Sequence, residues 1–395
     1  MNPFIAAHAT HPDAGMALAL AAAQVDAQRA ARSGGFQPTL CFVYLTDHFG
    51  AHAEALLAEL RQRWPGSTWV GATGIGVIAS GAEYIDAPAL SLLLTELPAW
   101  GFQVFNGRQP MDAALAHSAL VHADPNTPDV AELITELSER TRSGYLFGGL
   151  ASGRGRAPQI ADGVFDGGLS GVAFGADVAL LSRVTQGCQP VGPTRRITAC
   201  DRNLVLALDG QPALPQLLAD LGQTLDRPEP ALRAMRNTLV GLGDAGDAML
   251  ARGGQFGTDT RVRHLIGIDP AREAVAVADL VQPGEQLAFC RRDTEAARRD
   301  LVRICSEIRD EVEADAPVPA LHGAGGEAPA SRIAGAIYIS CAGRGGPHFG
   351  GPSAEALIVQ HALGDVPLTG FFAGGEIAHH HLYGYTGVLT VFVRN

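Results

Sequence analysis

Short apolar runs recur along the first half of the chain, at residues 39–45, 68–78, 89–97, 118–122, 144–150, 168–174 and 178–185. Their length and their Val, Leu and aromatic content predict strands. Helical spacing appears between them at 52–64 and 128–142. In the second, Val130, Leu133, Ile134 and Leu137 fall at i, i+3, i+4 and i+7, and Pro128 suits a first turn. An alanine-dominated stretch, 13–32, predicts a further helix and makes residues 1–37 a helical N-terminal extension. Strand–helix–strand alternation predicts an α/β (α+β) fold. From Gly168 to Asp209 the helical signal is lost, and apolar runs between glycine and polar turns predict an antiparallel meander.

Helical character returns over 212–242, interrupted by Pro228 and Pro230. Strands are expected at 262–268, 274–281 and 286–289, then a charged helix at 293–313 with Leu301, Ile304, Cys305 and Ile308 on one face. Residues 314–331, rich in Ala, Pro and Gly, read as a mobile surface loop. Residues 41–77 and 337–377 share an order: strand, Ala-Glu-Ala-Leu helix (Ala53–Leu56 and Ala354–Leu357), strand, glycine loop. They read as two related halves. The expected division is 1–37, 38–213 and 214–395.

Charge and composition narrow the chemistry. All 29 basic residues are arginine, against 41 acidic ones, for a net charge of −12. Without lysine there is no Schiff-base, phosphate-loop or kinase-type lysine, which excludes pyridoxal-phosphate enzymes, standard nucleotide triphosphatases and protein kinases. The acidic balance argues against a nucleic-acid surface. Six cysteines, Cys41, Cys188, Cys200, Cys290, Cys305 and Cys341, form no CxxC pair and read as reduced thiols. No basic residue precedes Arg29 and no apolar stretch is long enough to span a bilayer, so a cytoplasmic protein without membrane insertion is expected.

Four glycine-bordered segments carry candidate chemistry. Gly74–Ala79 fits a dinucleotide fingerprint, but its β-branched continuation predicts a strand where that fingerprint needs a helix. Gly148, Gly149 and Ser152 lie in a glycine-rich strand end that is not a Gly-x-Ser-x-Gly elbow and has no evident base. Cys341 and Arg344 follow a strand at 336–340. There the guanidinium fork can meet a carboxylate or phosphate, and the thiol can be reactive or simply packed. Gly375 and Glu376 precede His379, His380 and His381. Three adjacent histidines cannot share one direction in an extended chain, which disfavours zinc, whereas an axial haem ligand needs one imidazole, from this cluster or from His348.

These motifs resemble the FIST family, the F-box and intracellular signal transduction sensory domains, from about Thr39 to Phe392. The resemblance rests on Val70–Thr73 with Gly76–Ile78, Phe147–Gly149, Gly187–Pro193 and Leu208–Ala213 in the FIST N part. In the FIST C part it rests on Ser340–Gly345, Gly370–Phe372, Gly375–Ile377 and Gly384–Thr386. It departs from the pattern after Glu376, where the loop is short and histidine-rich and Tyr383 stands in place of a histidine. The resemblance implies a sensor of small molecules such as amino acids that regulates a kinase, cyclase or similar output. Some bacterial members are similar to haem proteins that sense nitric oxide.

The expectation is therefore a non-enzymatic, cytoplasmic ligand-binding protein, its site where glycine-rich strand-end loops converge. Gly148, Gly149, Ser152, Cys341, Arg344, Gly375 and Glu376 form that site, with Arg344 and Glu376 clamping a zwitterion. Output passes to a separate partner, a histidine kinase or a cyclic-di-GMP enzyme. Three readings stay open beside it: a haem-based gas sensor, an enzyme with Cys341 as nucleophile, and a scaffold with an empty pocket.

Overall fold

The protein is described from a computed structural model covering residues 2–32, 35–246, 249, 256, 260–314 and 332–394. The expected loop at 314–331 lies, beyond Ala314, outside the described residues. The chain forms two compact units. Unit 1 comprises Met1–Thr185, Leu301–Leu382 and Thr386–Asn395; unit 2 comprises Gln186–Asp300 and Tyr383–Tyr385. The α/β class expected from the strand–helix alternation is the class found.

Unit 1 is built from three repeats of one connectivity. The first runs β1 (Phe4–Thr10), α1 (Ala14–Ala30), β2 (Leu40–Thr46), α2 (Ala53–Arg63), β3 (Thr68–Gly74), β4 (Gly76–Ala79), β5 (Ala82–Ile85) and β6 (Ala89–Thr95). The second runs β7 (Phe102–Phe105), β8 (Ser118–Ala123), α3 (Val130–Glu139), β9 (Tyr145–Leu150), β10 (Gln159–Ala161), β11 (Val164–Phe165) and β12 (Leu169–Phe174). The third opens with β13 (Leu180–Gln186) and resumes after unit 2.

Unit 2 contains β14 (Cys188–Pro190), β15 (Arg195–Asp201), β16 (Leu204–Leu208), β17 (Gln211–Pro212), α4 (Ala213–Leu221), α5 (Pro228–Arg236), β18 (Leu239–Gly243), β19 (Arg261–Asp269), β20 (Ala274–Val277) and β21 (Gln286–Arg292). Its pairing closes on itself, β21-β15-β16-β20-β19-β18 and back to β21, so it is a barrel around Val205, Leu208, Val240, Leu242, Leu287 and Phe289. Pro228 does not break the helical stretch but starts a helix, at the first-turn position proline tolerates. Of the expected meander strands, β15 and β16 pair directly, while β12 and β13 join sheets of unit 1.

The third repeat then completes through α6 (Thr294–Ala314), β22 (Ile333–Cys341), α7 (Ala354–Leu363), β23 (Leu368–Ala373), β24 (Glu376–His379), β25 (His381–Tyr383) and β26 (Thr386–Val393). The related pair seen in the sequence is thus joined by a copy between them, the second repeat, whose helix α3 does not carry the Ala-Glu-Ala-Leu motif. Residues 1–37 contribute β1 to a sheet as well as a helix. Its alternation in Phe4–Thr10, with two adjacent buried positions at the start, is too short to separate from a loop by eye.

The three sheets of unit 1 exchange strands in a cycle. Each repeat supplies a parallel pair (β2 with β3, β8 with β9, β22 with β23) flanked by antiparallel neighbours. The hairpin that follows each pair leaves for another sheet: β4–β5 joins β23, β24–β25 joins β9, and β10–β11 joins β3. Register makes Gly71, Gly148 and Gly370 equivalent, opposite Val43, Val121 and Tyr338. A Cβ on any of them would sit 1.7–1.8 Å from the carbonyl oxygen of that partner, so only glycine fits.

Helices cover the outer sheet faces. On the first, Leu18, Ala21 and Val25 of α1 and Leu56, Leu57 and Leu60 of α2 pack on Cys41, Val43 and Leu45. The inner faces meet each other. Tyr44, His122 and Phe371, one from each sheet, form a ring cluster with centroids 4.9–5.8 Å apart, and Tyr44 Oη lies 3.1 Å from His122 Nε2. With both faces covered, β2 and β8 read as unbroken apolar runs and not as alternation.

Candidate functional site

All six strands of the parallel pairs point their carboxyl ends to one side of unit 1, and the loops that leave them are joined to one another. Ala151 N donates to Ala123 O, Gly374 N to Leu150 O, Ala342 N to Ala373 O and Ser152 N to Thr73 O. Ser152 is the shared point. Its hydroxyl donates to Phe372 O at 2.6 Å and accepts from Ile75 N at 2.9 Å, so the serine of the second repeat ties the first to the third. Carboxyl ends of parallel strands are where ligands of open α/β sheets bind.

A cleft of about 370 Å³ opens there. It is lined by Asp124, Asn126, Ser152, Gly155, Arg156 and Asp166, with Gly374 at its wall. Asp124 follows β8 directly and accepts from Asn126 N and Gly167 N. Arg156 binds Asp166 and Glu54 together and is exposed, so its ion pairs are screened. The adjacent Arg154 clasps Asp47 through Nε and Nη2, which holds that carboxyl below its usual range. The sequence singles out Ser152 but not the arginines that follow it. The signal for Arg154 is that it is itself glycine-bracketed, in Gly153-Arg154-Gly155, as Arg344 is in Gly343-Arg344-Gly345.

The other expected site residues are placed differently. Gly148 and Gly149 lie inside β9 with their backbone in the sheet ladder, not in a loop; a Cβ on Gly149 would meet Ala373 Cβ at 2.7 Å. Arg344 and Glu376 do not form an open clamp. Arg344 is 1% exposed and pairs with Glu355, itself fully buried, at 3.1 Å, while its Nη1 donates to Thr185 O. Tyr338 and Ser340 hydroxyls complete the Glu355 shell. The reason lies in the next helix: Ala354 starts α7 beside the turn that carries Arg344, and this puts the helix's first-turn acid within reach.

Glu376 is also fully buried. Its Oε2 accepts from Thr386 N at 3.1 Å and Thr386 Oγ1 at 2.6 Å. Burial pushes its carboxyl up to about 8, against the opposing pull of Thr386, Arg344 and Cys341. Cys341, at the end of β22, is half-buried, and Gly375 forms the tight link into β24, its carbonyl accepting from Leu150 N.

The cleft does not fit haem. A macrocycle needs a wide apolar slot with an imidazole at its face, and beyond Pro125, alanine and glycine this lining is hydroxyl, acidic, amide and guanidinium, without a histidine. His379 lies edge-on to Tyr145 with ring centroids 4.5 Å apart, His380 and His381 rings are 3.9 Å apart, and His348 is edge-on to Phe349. Among the described residues, no three His, Cys, Asp or Glu side chains group to hold a metal ion, and no helix is long and apolar enough to cross a membrane.

Relatives of this chain align with it over nearly its whole length. It is 30% identical to an uncharacterized protein of Mycobacterium tuberculosis (strain CDC 1551 / Oshkosh) over 403 residues, 97% of this chain and 98% of the relative. It is 29% identical to an uncharacterized protein of Mycobacterium bovis over 402 residues, 97% of each. The FIST N domain matches residues 39–211 and the FIST C domain residues 216–379, a boundary that falls inside the barrel of unit 2. With both domains in order over most of its length, the chain belongs to the FIST family of sensory signalling domains.

Proposed function

We propose that the chain binds a small zwitterionic metabolite, with a free amino acid as the reference ligand, in the strand-end cleft, and passes its occupancy to a separate signalling protein. The carrying observation is the cleft itself: about 370 Å³, at the carboxyl ends of parallel strands, with Arg156 and the Asp124 and Asp166 carboxylates on one lining. That volume suits a small ligand, and the two signs of charge suit an ammonium and a carboxylate. The zwitterion clamp expected from Arg344 and Glu376 is here taken over by residues that face solvent.

The protein acts as a binder, not a catalyst. Ser152 is the single hydroxyl or thiol on the lining, and both of its hydrogen-bonding roles are committed to Phe372 and Ile75. A cytoplasmic setting agrees with six cysteines in no disulfide. The output partner is of the class the family implies, a histidine kinase or a cyclic-di-GMP enzyme.

Thermal-shift measurement with single amino acids tests this reading. At least one should raise the melting temperature of the wild type, and Asp124→Asn and Arg156→Ala should each reduce that rise. No shift with any amino acid, or a rise in both variants equal to that of the wild type, overturns it. An absorption spectrum of the same preparation shows a Soret band only if haem is bound.

A further inference from the structure

Register across the exchanged strands makes three residues equivalent. Gln159 and Glu376 open the strands lent to another sheet and Val77 is second in its own, opposite Ala72, Gly149 and Phe371, and each is followed by Ile-Ala: Ile160-Ala161, Ile377-Ala378 and Ile78-Ala79. All three side chains are fully buried. Gln159 shows what a polar group does there. It reaches back to its own repeat, accepting from Ser170 Oγ at 2.6 Å and donating to Gly168 O at 3.1 Å. Glu376 reaches back to its own repeat in the same way, onto Thr386. An amide or an apolar side chain therefore satisfies this position in the other two repeats, and the third alone places an ionisable group there.

We infer that Glu376 is a proton-binding switch of the third repeat, specialised from a structurally neutral position, whose charge decides whether the buried cluster around Arg344 is balanced. With Glu376 protonated, Arg344 and Glu355 sum to zero, while Glu83, which interacts with Glu355, is met by the backbone N–H groups of Gly346 and Ala356. Without that proton, the cluster holds one negative charge more than its guanidinium can offset, in a place sealed from water. The groups facing Glu376 are the Cys341 thiol at the end of β22, Arg344 in the following turn and Thr386 at the start of β26; β9 presents Gly149, which has no side chain. The switch is independent of what the cleft binds.

Its sign follows from linkage. The unfolded carboxyl titrates near 4.5 and the folded one at about 8. Between those values the folded chain holds a proton the unfolded chain lacks, so stability falls as pH rises through that window and levels off above it.

Melting temperatures of the full chain across about pH 5 to 9 test the inference, for wild type, Glu376→Gln and Gln159→Glu. Glu376→Gln should fold and lose one proton's share of the decline, and Gln159→Glu should acquire an additional one. If Glu376→Gln follows the wild-type curve at every pH, or Gln159→Glu adds no decline, the inference is overturned. Should Glu376→Gln fail to fold, Thr386→Val decides. Removing a hydrogen bond to the charged form should move the wild-type transition to higher pH, and an unmoved transition overturns the inference equally.

Discussion

Arg344 and Glu355 form an ion pair at 3.1 Å in which neither side chain touches solvent. The equivalent outer faces of the first and second sheets carry apolar cores, built on α1 and α2 in one and on Ile134 of α3 in the other. A charged pair in that setting does not stabilise the fold more than apolar packing would.

Removing one partner is a different matter. Glu355→Ala leaves the buried Arg344 without the carboxylate it is hydrogen-bonded to and should cost about 3–5 kcal/mol. The double variant Arg344→Met with Glu355→Leu should recover most of that loss. Urea midpoints of the three proteins measure it, and a double variant as unstable as the single would contradict the desolvation argument.

Ser152→Ala removes the hydroxyl that joins three strand-end loops and leaves Ile75 N without its acceptor. The expected cost is about 1–3 kcal/mol. Amide exchange at Ile75 should speed up more than exchange within β3, because the hydrogen bond lost is local.

His122 sits fully buried against Tyr44, and burial lowers its imidazole to about 3 from an ordinary 6.5. Its folded value lies below its unfolded one, so the unfolded chain takes the proton first. Stability is present above pH 6.5 and is lost as pH falls toward 3, by roughly 1.4 kcal/mol per pH unit for this residue. His122→Gln, which keeps an amide for Tyr44, should show a shallower acid decline than the wild type in denaturant titrations.

Thiol labelling of the native protein should reach Cys341 and Cys200 before the rest. These two are partly exposed, whereas Cys41, Cys188, Cys290 and Cys305 are buried, and burial pushes the Cys305 thiol up to about 12. Mass spectrometry after brief alkylation at neutral pH reads the order. Early modification of Cys305 would mean that α6 opens in the native state.

Local pattern carried much of the fold. Continuous apolar runs mark strands covered on both faces, and the i, i+3, i+4 spacing in 130–137 marks a helix lying on a sheet. Pairing partners were not legible in the same way. Residues 68–78 look like one strand because Gly74-Ile75-Gly76 keeps an extended, apolar character through the point where the chain changes sheets. The second copy of the repeat was hidden because its exchange loop, Ala151 to Pro158, is longer than the two- and one-residue links at Gly374-Gly375 and Ile75. The site was half visible. Ser152 and the strand-end loops followed from glycine placement, but Arg344 looked available for a ligand because nothing local reveals that Glu355, eleven residues on, turns back to meet it.

Strand exchange also orders events during synthesis. The first sheet is complete once residues to Phe165 exist, since β10 and β11 are its last strands. The hairpin β4–β5, made far earlier, has no sheet to join until β23 emerges, after the Gln186–Asp300 segment of unit 2. A nascent chain therefore presents an unpaired hairpin of Val77, Ile78 and Ala79 for most of its elongation, and such edges recruit other chains. Nonsense truncations anywhere between the barrel and Leu368 should yield aggregates, not smaller soluble sensors.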